Sequence, residues 1–262
     1  MNIFKIILRN LLPPFLYKII KKVLKTKKEY TFIKKFDSIK EIKQNGIKIL
    51  DYIDDDLEDK KTQTFLKPEF IDFENKYSCI PIIVSILENN FSILEYGGGD
   101  NPIFSYIKNA TNKNIYSVVI EKESFVKKFF NKIPNEFKNE ISYVDNINKI
   151  SEEKFDIIFF GSSIQYSNDH ESLLSEMFKF NSKFIVISRT FFNLLDKDFF
   201  VIQNNITNNI FPYKMINFGN FIEFMKKNKY QLIFNATFKS EYSHESIKEI
   251  SYKDLIFKKN IE

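Results

Sequence analysis

The sequence predicts an α/β protein, a mostly parallel sheet with helices on both faces and an antiparallel hairpin at its C-terminal end. Three observations carry this. From Ser92 onward, short β-branched or aromatic runs alternate with helical segments, the pattern of parallel strands joined by crossovers. Two of those runs, FDIIFF and KFIVIS, are apolar without interruption, as strands covered on both faces must be. The tail then changes character, with two strand-like runs separated only by polar residues.

The chain of 262 residues divides near residue 76 into an N-terminal extension, 1–76, and a domain, 77–262. Residues 1–28 contain Lys5, Arg9, Lys18, Lys21, Lys22, Lys25, Lys27 and Lys28 and no acid, so this arm carries +8 and the remainder −3 of a net charge of +5. Nucleic-acid binders do not confine their basicity to one arm of a near-neutral body, so that class of partner is not expected. The arm is apolar but broken by Lys5, Arg9 and Pro13-Pro14. It is too interrupted to span a bilayer and lacks a small-residue cleavage site. It reads as short amphipathic helices that either dock on an anionic membrane surface or pack on the main domain. A cytoplasmic chain, peripheral at the inner face of the membrane through residues 1–28, is the expectation. Residues 30–76, with the acidic run DYIDDDLEDKK, read as helices and loops forming a cap or lid.

Cys79 is the single cysteine and there are two histidines. That excludes an internal disulfide, suits a reducing compartment and leaves no Cys/His metal site. Within the domain, strands are expected at Ser92–Glu95, Ile115–Glu121, Ile141–Val144, Phe155–Gly161 and Lys183–Arg189. Helices are expected between them at Ile103–Asn109, Ser124–Asn131 and Glu171–Phe180. A last helix, Phe221–Lys229, leads into the hairpin strands Tyr230–Lys239 and Tyr252–Lys258, which brings the sheet to seven strands.

The stretch ILEYGGGDNP, after the first of these strands, holds three of only six glycines in the chain. A strand, a glycine turn and a helix place backbone N–H groups where a ligand can meet them. Pro102 suits the first turn of the helix, and Asn101 tolerates a left-handed backbone or caps the helix. Gly97, Gly98 and Gly99 would let a ligand lie against the main chain; a plain strand-to-helix turn is the alternative. A dinucleotide fingerprint counted from Gly97 meets Pro102 where its third glycine belongs. The spacing Glu95-x-Gly97-x-Gly99-x-Asn101 instead resembles that of S-adenosylmethionine-dependent methyltransferases.

The likeness extends over most of the chain. LLPP near the N-terminus, LEYGGG, GSSIQYSND, ISRT and FPYKMINFGNFIEFMKKNKYQLI together resemble a methyltransferase family from bacterial surface-polysaccharide (capsule and O-antigen) gene clusters. The resemblance implies a Rossmann-like class I methyltransferase fold and S-adenosylmethionine as cofactor. It implies that Glu95 contacts the methionine amino end and that the glycines face the adenosyl and methionyl parts. Glu121, 22 residues past Gly99, would grip the ribose hydroxyls and Asp145 the adenine amino group, with Ser162 and Gln165 lining the pocket. Two positions depart from the pattern: Tyr96 replaces a phenylalanine, and Ser188 stands where an acid precedes the arginine.

Methyl transfer would take place at the end of the fourth strand, where Tyr166 and His170 lie. His170 either acts as general base, its ordinary pKa of ~6.5 suiting neutral pH, or sits solvated in a first turn capped by Asp169. Arg189, one of two arginines among 39 basic residues, either anchors a phosphate or carboxylate or makes a structural ion pair. His244 is expected to be inert on the hairpin loop. The expected reaction is O-methylation of a small-molecule or glycan acceptor: a sugar, a sugar nucleotide or a phosphate- or phosphoramidate-bearing precursor. A nicotinamide-dependent oxidoreductase is the rival enzyme, disfavoured by the missing Y-x-x-x-K pair after the fourth strand. A module that kept the fold and lost the chemistry is the third reading. Hydrolase chemistry lacks its histidine partner.

Overall fold

The computed structural model describes residues 31–47, 49, 79–99, 101–204, 210–238 and 249–260. The basic arm 1–28, most of the cap, Asp100 and the His244 loop lie outside them.

Seven strands form the expected sheet. β2 (Asn90–Tyr96), β3 (Asn114–Ile120), β4 (Ile141–Val144), β5 (Ile157–Gly161) and the first half of β6 (Phe184–Asn193) are parallel. β9 (Tyr230–Phe238) and β10 (Ile250–Lys259) form the C-terminal hairpin, with β10 antiparallel to both β9 and β6. The order is β4-β3-β2-β5-β6-β10-β9. The chain therefore reverses its direction of growth between β2 and β5, the switch point at which open α/β sheets bind ligands.

Successive strand residues face opposite sides, and two cores follow. Ile93, Ile157, Phe159 and Val186 pack against α2 (Cys79–Ile86), α3 (Ile103–Ala110) and α4 (Glu123–Lys132). Leu94, Ile158, Phe160 and Ile187 pack against α5 (His170–Met177) and α6 (Phe218–Lys227). Each fully buried Leu, Ile or Phe contributes about 1.5–3 kcal/mol, so the alternating runs hold both faces of the sheet.

Three further strands were not expected. β6 runs past the end of β5, and beyond it Phe192 and Asn193 pair with β8 (Ile210–Asn217). β8 pairs antiparallel with β7 (Phe199–Asn204), and β7 with β1 (Thr31–Phe36). The reading of 30–76 as helices and loops is corrected here: its start is an edge strand, followed by the short helix α1 (Ile39–Gln44). Phe32, Phe191, Phe199, Tyr213 and Met215 form a separate core under this small sheet. No helix of the described residues is long and apolar enough to cross a membrane.

Candidate functional site

Four residues with a left-handed backbone lie after β2, after β5 and in the middle of β6, just past its pairing with β5: Gly97 (φ 72°), Gly99 (φ 63°), Ser162 (φ 62°) and Arg189 (φ 55°). For a residue with a side chain this conformation costs about 1–2 kcal/mol. Ser162 and Arg189 bear that cost beside the glycine turn.

The three glycines have different jobs. A Cβ on Gly97 would lie 2.8 Å from Ser163 Cβ, so the β2 turn and the β5 turn meet without room for a side chain. A Cβ on Gly98 would strike Glu95 and Val119 at 2.8 and 2.9 Å. Gly98 is thus a packing glycine: the place its side chain would take is filled by Glu95 and Val119. A Cβ on Gly99 would meet nothing within 4 Å, so this residue faces open space.

The carboxylates around the turn hold it in place. Glu95, buried at the end of β2, accepts from the N–H of Ile103 at 2.8 Å and so caps α3, whose N-cap, Pro102, has no side chain able to do so. Glu121 accepts the Gly99 N–H at 2.6 Å through Oε1, and Tyr143 donates to the Gly99 carbonyl at 3.0 Å. Asn101 is absorbed by the helix: its amide donates to the Tyr106 hydroxyl at 2.8 Å and accepts from Ser105 at 2.9 Å. Its side chain thus braces the first turn of α3. Tyr96 packs on Phe160, and burial, then the Glu121 charge, push its hydroxyl pKa up.

Two buried oxygens at this edge have no protein partner. Asp145 takes Lys149 Nζ at 2.7 Å on Oδ2, while its Oδ1 is unsatisfied. Ser163 Oγ, beside Gly97, is likewise unsatisfied. Two other orphaned hydroxyls among the described residues, Ser117 and Ser251, lie within β3 and β10. An unmet buried polar atom costs about 1–3 kcal/mol, so orphans beside a bare turn suit a ligand that completes them. Ser163 was missed in favour of its neighbour. Ser162 takes the strained backbone, and its Oγ is turned to accept from Gln165 Nε2 at 3.1 Å. Gln165 is 1% exposed and also accepts from Thr190 Oγ1 at 3.3 Å. It ties the β5 turn to β6.

The predicted catalytic residues separate. His170 is 4% exposed at the start of α5, with Asp169 capping that helix through Ser172 N at 3.0 Å. The cap is as expected; the solvated imidazole is not. Lys214 of β8 lies 3.1 Å from His170 Nδ1, and Asp198 Oδ2 lies 3.2 Å from Lys214. Burial first, and the Lys214 charge second, push His170 down to about 4. With Nδ1 taken up by Lys214 and its basicity lowered by burial, His170 is a weaker base than a free imidazole and is built into this cluster. Tyr166 stays at the mouth of the turn, but its hydroxyl donates to Gln203 of β7 at 2.8 Å and its ring meets Tyr213 edge-on.

Arg189 sits in a bulge of β6, where Ser188 and Arg189 together oppose Asp254 of β10. Asp254, buried, accepts from Ser188 Oγ and from the Arg189 N–H, both at 2.8 Å, while Arg189 Nε donates to Tyr252 at 3.0 Å. The acid expected before the arginine is thus supplied from the neighbouring strand. Burial, reinforced by the Asp254 charge, raises the Cys79 thiol well above its ordinary range and keeps it inert. No group of side chains suited to hold a metal ion occurs among the described residues.

No protein-family model matches the sequence, and no curated protein matches it. Solved structures do match. An S-adenosylmethionine-dependent methyltransferase from Methanosarcina mazei is similar over 70% of this chain and 98% of its own, with 12% identity and a TM-score of 0.53. The MccD protein matches over 71% and 97%, with 11% identity and a TM-score of 0.51. Magnesium protoporphyrin IX methyltransferase from Synechocystis PCC 6803, with bound S-adenosylmethionine, matches over 71% and 79%, with 9% identity and a TM-score of 0.50. The chain has the class I methyltransferase fold.

Proposed function

We propose that this chain is an S-adenosylmethionine-dependent methyltransferase that acts on an oxygen of a sugar, a sugar nucleotide or a phosphate- or phosphoramidate-bearing precursor of a bacterial surface polysaccharide. The observation that carries the cofactor reading is one juxtaposition at the switch point. Gly99 is open, and the unsatisfied Asp145 Oδ1 and Ser163 Oγ lie along the same sheet edge. The residues fit the group: Glu121 would take the ribose hydroxyls, Asp145 the adenine amino group, and Gly97, Gly99 and Ser163 the methionyl part. When bound, it supplies an electrophilic methyl group. The sequence resemblance supports the polysaccharide part.

The chain's own contribution is placement. Displacement at a methyl group gains several kcal/mol from holding the acceptor in line, and an already ionised oxygen needs no base. Arg189, rigid in its bulge, would anchor the anionic part of the acceptor, because a guanidinium binds phosphate or carboxylate in two-pronged fashion.

Calorimetric titration with S-adenosylhomocysteine and with NAD tests the cofactor. Binding of S-adenosylhomocysteine that weakens in Glu121→Ala is expected; binding of NAD alone overturns the reading. A labelled-methyl screen over sugar nucleotides and phosphorylated sugars then tests the acceptor. Arg189→Ala should lose turnover while keeping its affinity for S-adenosylhomocysteine. Unchanged turnover removes Arg189 from the site.

A further inference from the structure

The β9–β10 hairpin holds a buried cation that neither the glycine edge nor the small sheet uses. Lys253 is 8% exposed, on β10, opposite Thr190 of β6 and Thr237 of β9. Its ammonium donates to Asn235 Oδ1 at 3.2 Å and to Thr237 Oγ1 at 2.9 Å, and lies 4.8 Å from the centre of the Phe218 ring. Among the described residues no carboxylate pairs with it. Asp254, next along the strand, is committed to Ser188 and Arg189.

A lysine removed from water is ordinarily matched by an acid, because an unpaired buried charge is costly. Here burial alone pulls the ammonium below its usual range. Two neutral oxygens take two of its three protons. Taking them also orients their owners. Asn235 must turn its Nδ2 donors away from Lys253, and Thr237 must aim its hydroxyl proton elsewhere. Both residues are exposed on the edge strand β9. What they leave outward is a set of donors around an unmatched positive charge. A metal ion finds no negative ligand there, and a neutral group leaves the charge unbalanced. An oxyanion meets both needs.

We propose that Lys253, Asn235 and Thr237 form an accessory site for a phosphate-type oxyanion on the face of the hairpin that Phe218 packs against. It is separate from the glycine edge and does not depend on the methyltransferase reading.

The test titrates the full chain with inorganic phosphate at fixed ionic strength, following heat and the NMR signal of lysine side chains labelled at Cε. Saturable binding is expected, with Lys253 titrating below the other lysines and moving up in pH as phosphate binds. Lys253→Met should abolish binding and Lys253→Arg should retain it. Asn235→Leu and Thr237→Val, which keep the cation, should each weaken it several-fold and decide the matter if Lys253→Met does not fold. A parallel titration with a nucleoside diphosphate assigns the source. Tighter binding than phosphate, lost in Lys253→Met, means the group belongs to a larger molecule; equal affinity means a free ion. Absence of saturable binding, or equal binding by wild type and all the variants, overturns the proposal.

Discussion

The edge formed by β2, β4 and β5 and the small sheet of β1, β7 and β8 lie at the same end of the molecule and are built in opposite ways. The first offers backbone and short side chains: Gly97, Gly99, Ser163 and the tip of Asp145. The second offers rings and buried charges, with Phe32, Phe191 and Tyr213 in mutual contact at 5.0–6.1 Å and the Lys214–Asp198–His170 cluster beside them. A bare backbone suits a ligand portion that does not vary, because main-chain groups and glycine leave little to diversify. Packed side chains on an added sheet suit the portion that does, since their identity can change without disturbing the parallel core. On the proposed function the glycine edge would serve the cofactor and the added sheet would shape the acceptor.

The largest effect should come from the glycine edge. Gly97→Val combines the clash with Ser163 and a left-handed backbone costing about 1–2 kcal/mol, and should lower affinity for S-adenosylhomocysteine by ~100-fold or more. A sharper test pairs Gly99→Ala with Gly46→Ala. Both positions have a left-handed backbone and open space around the added Cβ, so both should lose about 1 kcal/mol of stability. Only Gly99→Ala should also lose cofactor affinity. Equal, undiminished affinity in the two would break the comparison, since nothing would then lie on Gly99.

The small sheet should respond to pH. His170 takes a proton near pH 6.5 when unfolded but only near 4 when folded. The unfolded chain therefore binds more protons between these values, and stability rises with pH across that window. The contribution is complete above pH ~6.5 and is lost as pH falls towards 4, by about 3 kcal/mol at most. Thermal melts from pH 4 to 7 should show this dependence, and His170→Gln should flatten it. A melting curve for His170→Gln as steep as wild type would remove the cluster from the pH response. The smallest effect is expected for Tyr166→Phe, which deletes the bond to Gln203 at a cost of about 1 kcal/mol. It should raise the acceptor KM and leave cofactor affinity unchanged; a shift confined to the cofactor would invert the two roles.

The parallel half was readable in the chain because its signals are local. FDIIFF and KFIVIS are apolar at every position since both faces are covered, and the glycine run stands out by its rarity. Glu121 and Asp145 were singled out at strand ends through the methyltransferase resemblance. The small sheet escaped because TFIKKF pairs with a strand more than 150 residues away, and FPYKMIN with its hairpin partner FFVIQN joins the main sheet only through the overrun of β6.

Composition and periodicity determined the fold class, and the glycine run at a strand end marked the switch-point edge. Tertiary structure decided how the side chains at that edge are used. It turned Gly98 inward and Asn101 into the helix, exchanged Ser162 for Ser163, buried His170 beneath Lys214 and brought Asp254 across to Arg189. The physical reason is that strand direction follows from residue type and period, whereas the partner of a buried polar group depends on which distant segment packs against it.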